Sequence, residues 1–385
     1  MEQPDYTYTL ADITNLYGRG RVECVDHRKS NRFLSHIAVR DNQLRRRAKA
    51  WIPAEVADLI DLAVVVHEAD RLSIRRGDMP CHIHVIVPVR RPDLFDDPAV
   101  RDLLRDALHW YTEDHWTFEF TRRTSYGRLA EQPCLLSDVN ASRPVEVALW
   151  SGGLDCLAGL CARLLVAPDA DTRYVLVETG SNSYIHTVQG RVATAIAGMV
   201  ADLAEVTLVR VPIHPHNTGH RRKNELMRSR GFTFLLIGAA QALLEGQNAL
   251  YVYENGLGAI NLPFRPSEVG LDHARSVHPL SLLRMGALVS EVLGAPFSFC
   301  NPFIFSTKAQ MCAALGSIGA HALVADTVSC DRRHRAQRMQ CGHCSSCLLR
   351  RQALAVEGIP DETAYVVNMP GRPGRRDDVT HLRAM

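Results

Sequence analysis

No run of 18 or more apolar residues occurs in the sequence, so no transmembrane helix is predicted. The opening MEQPDYTYTLADITNLYG has neither the basic nor the apolar region of a secretory signal, and the expected location is the cytoplasm, with no membrane partner. Net charge is small: 44 lysines and arginines stand against 42 acids, leaving +2. Such a balance argues against bulk electrostatic binding to nucleic acid, although a local basic patch is compatible with it. Internal repeats are absent, which excludes a solenoid. What remains has ordinary globular composition, 46% apolar and 22% charged over 385 residues, long enough for two domains with sizeable cores. Eleven cysteines would suggest disulfides in an exported protein; in the cytoplasm, metal binding is the better expectation.

Residues 1–144 read as an α+β unit of their own. DLAVVVHEAD and CHIHVIVPVRR have the β-branched content and partial alternation of strands, with the turn chemistry of RLSIRRGDMP between them. DDPAVRDLLRDALHWYTED predicts a helix capped by Asp97 with Pro98 in its first turn, and HWTFEFTRR alternates as a strand. The stretch LLSDVNASRP, rich in Ser, Asn, Asp and Pro, marks the boundary. From Val145 the pattern changes. VEVALW, RYVLVETG, EVTLVRVP and ALYVYENG read as strands, separated by helices after Asp155 and over HTVQGRVATAIAGMVADL and GFTFLLIGAAQALLEG. That order predicts an α/β fold with a doubly wound, mainly parallel sheet, whose ligands sit beyond the carboxyl ends of the strands. This unit is expected over 145–365, with a cysteine lobe at about 326–352, ahead of a Pro-, Gly- and Arg-rich tail over 366–385.

Between VEVALW and its helix lies Ser151-Gly152-Gly153-Leu154-Asp155. Two glycines let successive backbone N–H groups converge on an anion, and the helix start adds partial positive charge. Ser151 offers a hydroxyl, and Asp155 could orient a magnesium ion or a water. The turn is neither G-x-x-x-x-G-K-[ST] nor G-x-G-x-x-G, so the usual nucleoside triphosphatase and dinucleotide patterns fail. A plain tight turn is the bland alternative.

Cys330, Cys341, Cys344 and Cys347 have the spacing C-x10-C-x2-C-x2-C. Four thiolates suit a tetrahedral, structural Zn²⁺; an iron–sulfur cluster is the rival occupant. His334 and His343 lie close enough to substitute as ligands, although two surface histidines in a basic loop is the simpler account. Cys24, Cys81, Cys134, Cys161, Cys300 and Cys312 are scattered and read as small apolar residues.

The ordered pair, a Ser-Gly-Gly-Leu-Asp turn opening a doubly wound domain and C-x2-C-x2-C near its end, resembles the 7-cyano-7-deazaguanine (QueC-like) synthases. These belong to the PP-loop ATP-pyrophosphatases, with an adenine nucleotide alpha hydrolase-like fold. The resemblance covers about residues 145–360 and includes RSRGFTFLLIGAAQALLEG, YVYENGLGAINLPF and NPFIFSTKAQM. It implies a ligase that uses ATP and Mg²⁺ to activate the carboxylate of 7-carboxy-7-deazaguanine. Ammonia then gives an amide, a second activation gives a nitrile, and a Zn²⁺ ion is structural. Carried over, Ser151, Gly152, Gly153, Leu154, Asp155, Cys156 and Arg230 would hold ATP. By the needs of the reaction itself, Asp155 and Lys308 would serve the chemistry, with Arg228 as a further cation; solvated surface charge is the plain alternative for Lys308, Arg228 and Arg230, and turn chemistry for Glu254-Asn255-Gly256. Glu254, Asn255 and Gly256 would face the substrate, and the four clustered cysteines would hold the zinc. Cys156 departs from the family's serine, a change most simply read as tolerated. Residues 1–144 have no counterpart in the housekeeping synthases and look like the longer synthase-like proteins of bacterial antiviral defence clusters. For these the resemblance implies the same activation with another acceptor, such as an amine on a protein from the same operon; a homodimer is compatible with it.

Two other functions compete. A PP-loop tRNA sulfurtransferase would need a catalytic cysteine outside the zinc set, and only Cys156 lies near the turn. A nucleic-acid-binding protein could use the basic DRRHRAQRMQC and LLRRQ, but aromatic residues for base stacking are missing there.

Overall fold

The computed structural model describes residues 3–11, 18–44, 51–76, 79–124, 131, 143–166, 172–180, 183–216, 223–224, 227–261, 275–330 and 339–367. Alternation builds the first sheet. In β1 (Tyr6–Ala11), β2 (Arg19–Asp26), β4 (His82–Val89) and β5 (His115–Arg122), every second side chain turns inward, the pattern of a sheet with one covered face. With β3 (Asn31–Val39) and β9 (Ile213–His216) they form a six-stranded sheet in the order β5-β4-β1-β2-β3-β9. The edge strand β9 comes from far downstream and pairs antiparallel with β3, Val39 opposite Ile213.

The stretch DLAVVVHEAD, expected as a strand, is helical. It lies within α1 (Ala54–Leu72), where every residue from Val56 to Leu72 is buried. A helix covered on all sides has no polar stripe, and its Val-rich middle then mimics a buried strand. CHIHVIVPVRR and HWTFEFTRR do form strands, β4 and β5. After the short α2 (Pro92–Phe95), α3 (Pro98–Thr112) begins as expected, with the Asp97 side chain accepting from the Ala99 N–H at 2.8 Å. The boundary stretch at 135–144 lies almost wholly outside the described residues, as does the tail beyond 367.

The second sheet contains β6 (Val145–Leu149), β7 (Arg173–Glu178), β8 (Glu205–Arg210), β10 (Ala249–Tyr251) and β11 (Ser298–Cys300), in the order β11-β10-β6-β7-β8. Every pairing is parallel, not just most of them. Neighbouring residues of its central strands enter different cores: Val147, Val175 and Val177 on one face, Ala148, Tyr174 and Leu176 on the other. α4 (Leu154–Val166), α5 (Ser183–Met199) and α9 (Lys308–Ile318) cover the second face; α6 (Arg230–Leu244) and α8 (Pro279–Leu293) cover the first. The fold is therefore α/β with helices on both faces of a parallel sheet. α1 packs along α6 and α3 along α8, so one apolar cluster runs from Tyr8 and Val85 through Leu62 and Leu108 to Leu288 and Val175. Among the described residues, no helix is long and apolar enough to cross a membrane.

Burial obliges α1 to pair its charges. Asp70 meets the Arg75 guanidinium at 2.6 Å and accepts from the Ser229 backbone N–H and hydroxyl at 2.8 and 2.9 Å, tying α1 to the start of α6. Asp70→Ala leaves Arg75 to Asp114 alone and frees the segment before α6. The expected loss is roughly 2–3 kcal/mol of unfolding free energy in a urea titration, because the Ser229 N–H and hydroxyl lose their buried acceptor; a loss below about 0.5 kcal/mol would show that this contact does not hold the two units together.

Candidate functional site

β6 ends at the glycine turn, and α5 braces it. The Trp150 indole donates to the Gln189 carbonyl at 3.1 Å, and the Gln189 amide donates to the Trp150 carbonyl at 3.2 Å. Gly152 has φ +69°, and a Cβ there would lie 2.8 Å from Gln189 Cγ, so only glycine fits. The Gly153 N–H donates to Ser151 Oγ at 3.2 Å and the Leu154 N–H to Ser329 Oγ at 3.4 Å. These N–H groups head a 13-residue helix and are held by hydroxyls, which makes the turn a nest that an anion can enter.

Cys156 supports this turn from below. Its sulfur lies 3.1 Å from Ser151 Oγ and accepts from the Ser151 N–H at 3.5 Å. Burial pushes its thiol up to about 11. It stays protonated at neutral pH and lacks the activated thiolate a catalytic cysteine needs.

Asp155, in the first turn of α4, is buried and faces Lys308, the first residue of α9, in an ion pair. Asn255 Nδ2 donates to Asp155 Oδ1 at 2.9 Å and to Glu254 Oε1 at 2.8 Å. Asn255 also caps the short α7 (Gly256–Ile260), its side chain accepting from the Gly258 N–H. The Asn301 amide grips the Glu254 carbonyl at 2.9 Å. All of this lies beyond the carboxyl ends of β6, β10 and β11. Burial, reinforced by the Asp155 charge, pushes Glu254 up to about 8 despite the pull of Lys308. Burial alone would lower Lys308, but Asp155 foremost, with Glu254, raises it above its ordinary value, so it remains an ammonium. At neutral pH the cluster thus balances one carboxylate against one ammonium beside a carboxyl group ready to ionise.

The other predicted residues are placed as follows. Gly256 spends its N–H on the Ser306 carbonyl at 2.9 Å, and a Cβ there would meet the Ile304 oxygen at 2.2 Å. Arg230 opens α6 with its guanidinium over the Phe234 ring, 5.0 Å from the centroid. Arg228 is committed to the N-terminal unit, donating to the Thr112 carbonyl at 3.0 Å.

In the cysteine lobe the four sulfurs lie within 4.8 Å of one another, with Cys341–Cys347 at 3.9 Å and Cys344–Cys330 at 4.0 Å. A tetrahedral zinc with Zn–S bonds of about 2.3 Å requires sulfurs roughly 3.8 Å apart. The set therefore fits one ion at its centre, whereas a multi-iron cluster distributes its four cysteines over several irons and holds them further apart. Gly342, at φ +84°, makes the turn, and Cys344 caps α10 (Ser345–Val356), which carries Cys347. N–H groups of Cys341 and Cys344 donate to the sulfurs of Cys330 and Cys341 at 3.2 and 3.3 Å, as thiolates require. His343 turns its ring toward the Cys341 carbonyl, 3.2 Å away. His334 and most of the basic stretch beside it lie outside the described residues.

Gln189, Asn301, Ser329 and Arg350 also belong to the site and were not foreseen. Ser329 carried a signal as the immediate neighbour of Cys330, Arg350 as part of the basic LLRRQ, three residues after Cys347, and Asn301 as the first residue of NPFIFSTKAQM.

Residues 281–358 match the family model described as Queuosine biosynthesis protein QueC. Over 245 residues the chain is 26% identical to the 7-cyano-7-deazaguanine synthase of Anaeromyxobacter sp. (strain Fw109-5), an alignment covering 59% of this chain and 99% of that protein. Both findings support a relationship to QueC-like proteins.

The Glu254 carboxyl provides a test through linkage. Its folded-state value of about 8 lies above the ordinary 4.5, so its contribution to stability is complete below pH 4.5 and is lost as pH rises to about 8. Glu254→Gln cannot ionise. The stability of the variant relative to the unmodified protein should climb across that window and level off above it, in denaturant titrations at a series of pH values. A difference independent of pH would place Glu254 in contact with water rather than in the cluster.

Proposed function

We propose that this chain is an ATP-dependent ligase that activates a 7-deazaguanine carboxylate, 7-carboxy-7-deazaguanine, and transfers it to ammonia or another amine. The similarity to a 7-cyano-7-deazaguanine synthase supports the general class. The observation that carries the reading is the paired Asp155 and Lys308 beside a glycine turn at the head of α4. On this reading the fold is of the PP-loop type.

A carboxylate is a poor acyl donor because its oxygen leaves badly. Attack of that oxygen on the α-phosphorus of ATP forms an acyl adenylate and expels pyrophosphate. Ammonia then attacks the carbonyl carbon, gives up a proton and displaces AMP, leaving the amide; a second activation, of the amide oxygen, leads to the nitrile. The protein must stabilise the charge that grows on the departing pyrophosphate. The N–H groups of Gly153 and Leu154, the start of α4 and the Lys308 ammonium serve that end, with Arg230 as a further cation. Asp155 is the carboxylate suited to hold a magnesium ion, which would supply additional neutralisation of phosphate charge. Glu254 would meet the guanine-like edge, held in place by Asn255, whose amide is spent on Asp155, Glu254 and the Gly258 N–H. With four thiolates a zinc ion keeps no open position, so its role is structural.

The sulfurtransferase alternative is weakened by the state of Cys156, a buried thiol held far above neutral pH. A protein amine as the acceptor belongs to the same proposal, supported by the resemblance of the long chain to antiviral synthase-like proteins.

Purified protein with ATP, Mg²⁺ and 7-carboxy-7-deazaguanine should release pyrophosphate only when the carboxylate is present, and mass spectrometry should find the amide or nitrile once ammonium is added. Asp155→Ala should slow release by on the order of 100-fold or more. Release that ignores the carboxylate, or none at all with fold and metal intact, would overturn the substrate assignment.

A further inference from the structure

Arg350, in α10, is completely buried, yet its hydrogen bonds all end on neutral oxygens. Nη1 donates to Thr327 Oγ1 at 2.6 Å and to Ser329 Oγ at 3.4 Å. Nη2 donates to the Val324 carbonyl at 2.6 Å and to Thr363 Oγ1 at 2.8 Å. A desolvated guanidinium calls for an anion nearby. Two anionic sites are reached through Ser329, which it contacts: the four thiolates, which begin at the next residue and carry a net negative charge even around a divalent ion, and the glycine turn, proposed above to receive a phosphate.

Residues 327–330 connect the two. The Val328 N–H donates to the Gly152 carbonyl at 3.3 Å, and the Val328 carbonyl lies 3.3 Å from where a Cβ of Gly153 would be. Ser329 accepts from the Leu154 N–H, and its own N–H donates to Gln340 Oε1 at 3.1 Å. Gln340 in turn donates to the Thr327 carbonyl at 3.0 Å. The next residue is Cys330. Four consecutive residues therefore touch Arg350, the anion nest and the metal-ligand set.

We propose that Ser329 and Arg350 are positioning residues through which the cysteine lobe sets the glycine turn. The lobe, closed around its metal, holds residues 327–330 against the turn. Arg350 fixes Ser329 so that its hydroxyl occupies the Leu154 N–H until an anionic oxygen arrives. The hydroxyl then yields that N–H and can donate to the incoming oxygen, while the buried guanidinium gains an anion close by. Naming the anion as an ATP phosphate rests on the function proposed above; the mechanical coupling does not.

The test combines hydrogen–deuterium exchange of amides 152–156, metal content and ATP kinetics in full-length protein. Ser329→Ala should keep one zinc per chain, speed exchange in 152–156 and raise KM for ATP about tenfold, with kcat much less affected. Arg350→Met should do the same, and Arg350→Lys should recover part of both effects. Stripping the metal with a chelator should speed exchange at the same amides. If Arg350→Met does not fold, Ser329→Ala still decides, because it removes one half-buried hydroxyl. Unchanged exchange and unchanged KM in Ser329→Ala would refute the coupling. Faster exchange in a protein that ATP does not saturate would uphold the coupling and refute ATP as the ligand.

Discussion

A buried lysine facing a buried aspartate, each at the start of its own helix, is the constraint around which the rest of the site is arranged. Lys308 sits at the positive end of α9, where a cation is disfavoured by the helix dipole. Asp155 makes that placement tolerable, and Asn255 completes the carboxylate's hydrogen bonding while reaching to Glu254. Removing either charge would leave the other desolvated and unpaired, which costs more than the pair itself contributes. The contact therefore joins α4, α9 and the end of β10, and the same charges are those an incoming phosphate would meet. On the proposed function, stability and chemistry share one set of atoms.

The cysteine lobe works at a second level. Nothing in its four-sulfur geometry offers a reacting position, so its influence has to be mechanical. It passes through the segment ending at Cys330, which lies on the glycine turn and beneath which Arg350 is buried. The N-terminal sheet approaches from the opposite side, sharing its core with α6 and α8 and borrowing β9 for its edge. The parallel sheet is thus held from both faces, leaving its carboxyl edge to the site.

Much of this was legible in the sequence where the signal is local. A strand, two glycines and a helix start announce the turn, and the spacing of Cys330, Cys341, Cys344 and Cys347 announces the lobe. The end of ALYVYENG pointed to Glu254 and Asn255 because a parallel strand must deliver its last residues to the carboxyl edge. What failed was non-local. The Val-rich centre of α1 mimics a strand because α6 covers the face that would otherwise be polar. Residues 213–216 join a sheet whose other strands lie before Arg123, and no period within four residues can show that. Ser329 and Arg350 acquire their meaning only when the lobe folds back onto the turn, a contact 175 residues apart in the chain at Leu154 and Ser329. Arg228 has no such excuse: a basic residue before a helix suggested phosphate, and the structure spends it on a carbonyl of the N-terminal unit.

The central claim is that the glycine turn, together with Asp155 and Lys308, receives the phosphates of a nucleotide. The most direct measurement is a crystal structure with a non-hydrolysable ATP analogue and Mg²⁺. The account predicts phosphate oxygens accepting from the N–H groups of Gly153 and Leu154, with the Ser329 hydroxyl withdrawn from Leu154 and Lys308 turned toward the phosphates. A nucleotide seated elsewhere, with both serine hydroxyls still on the turn, would contradict it.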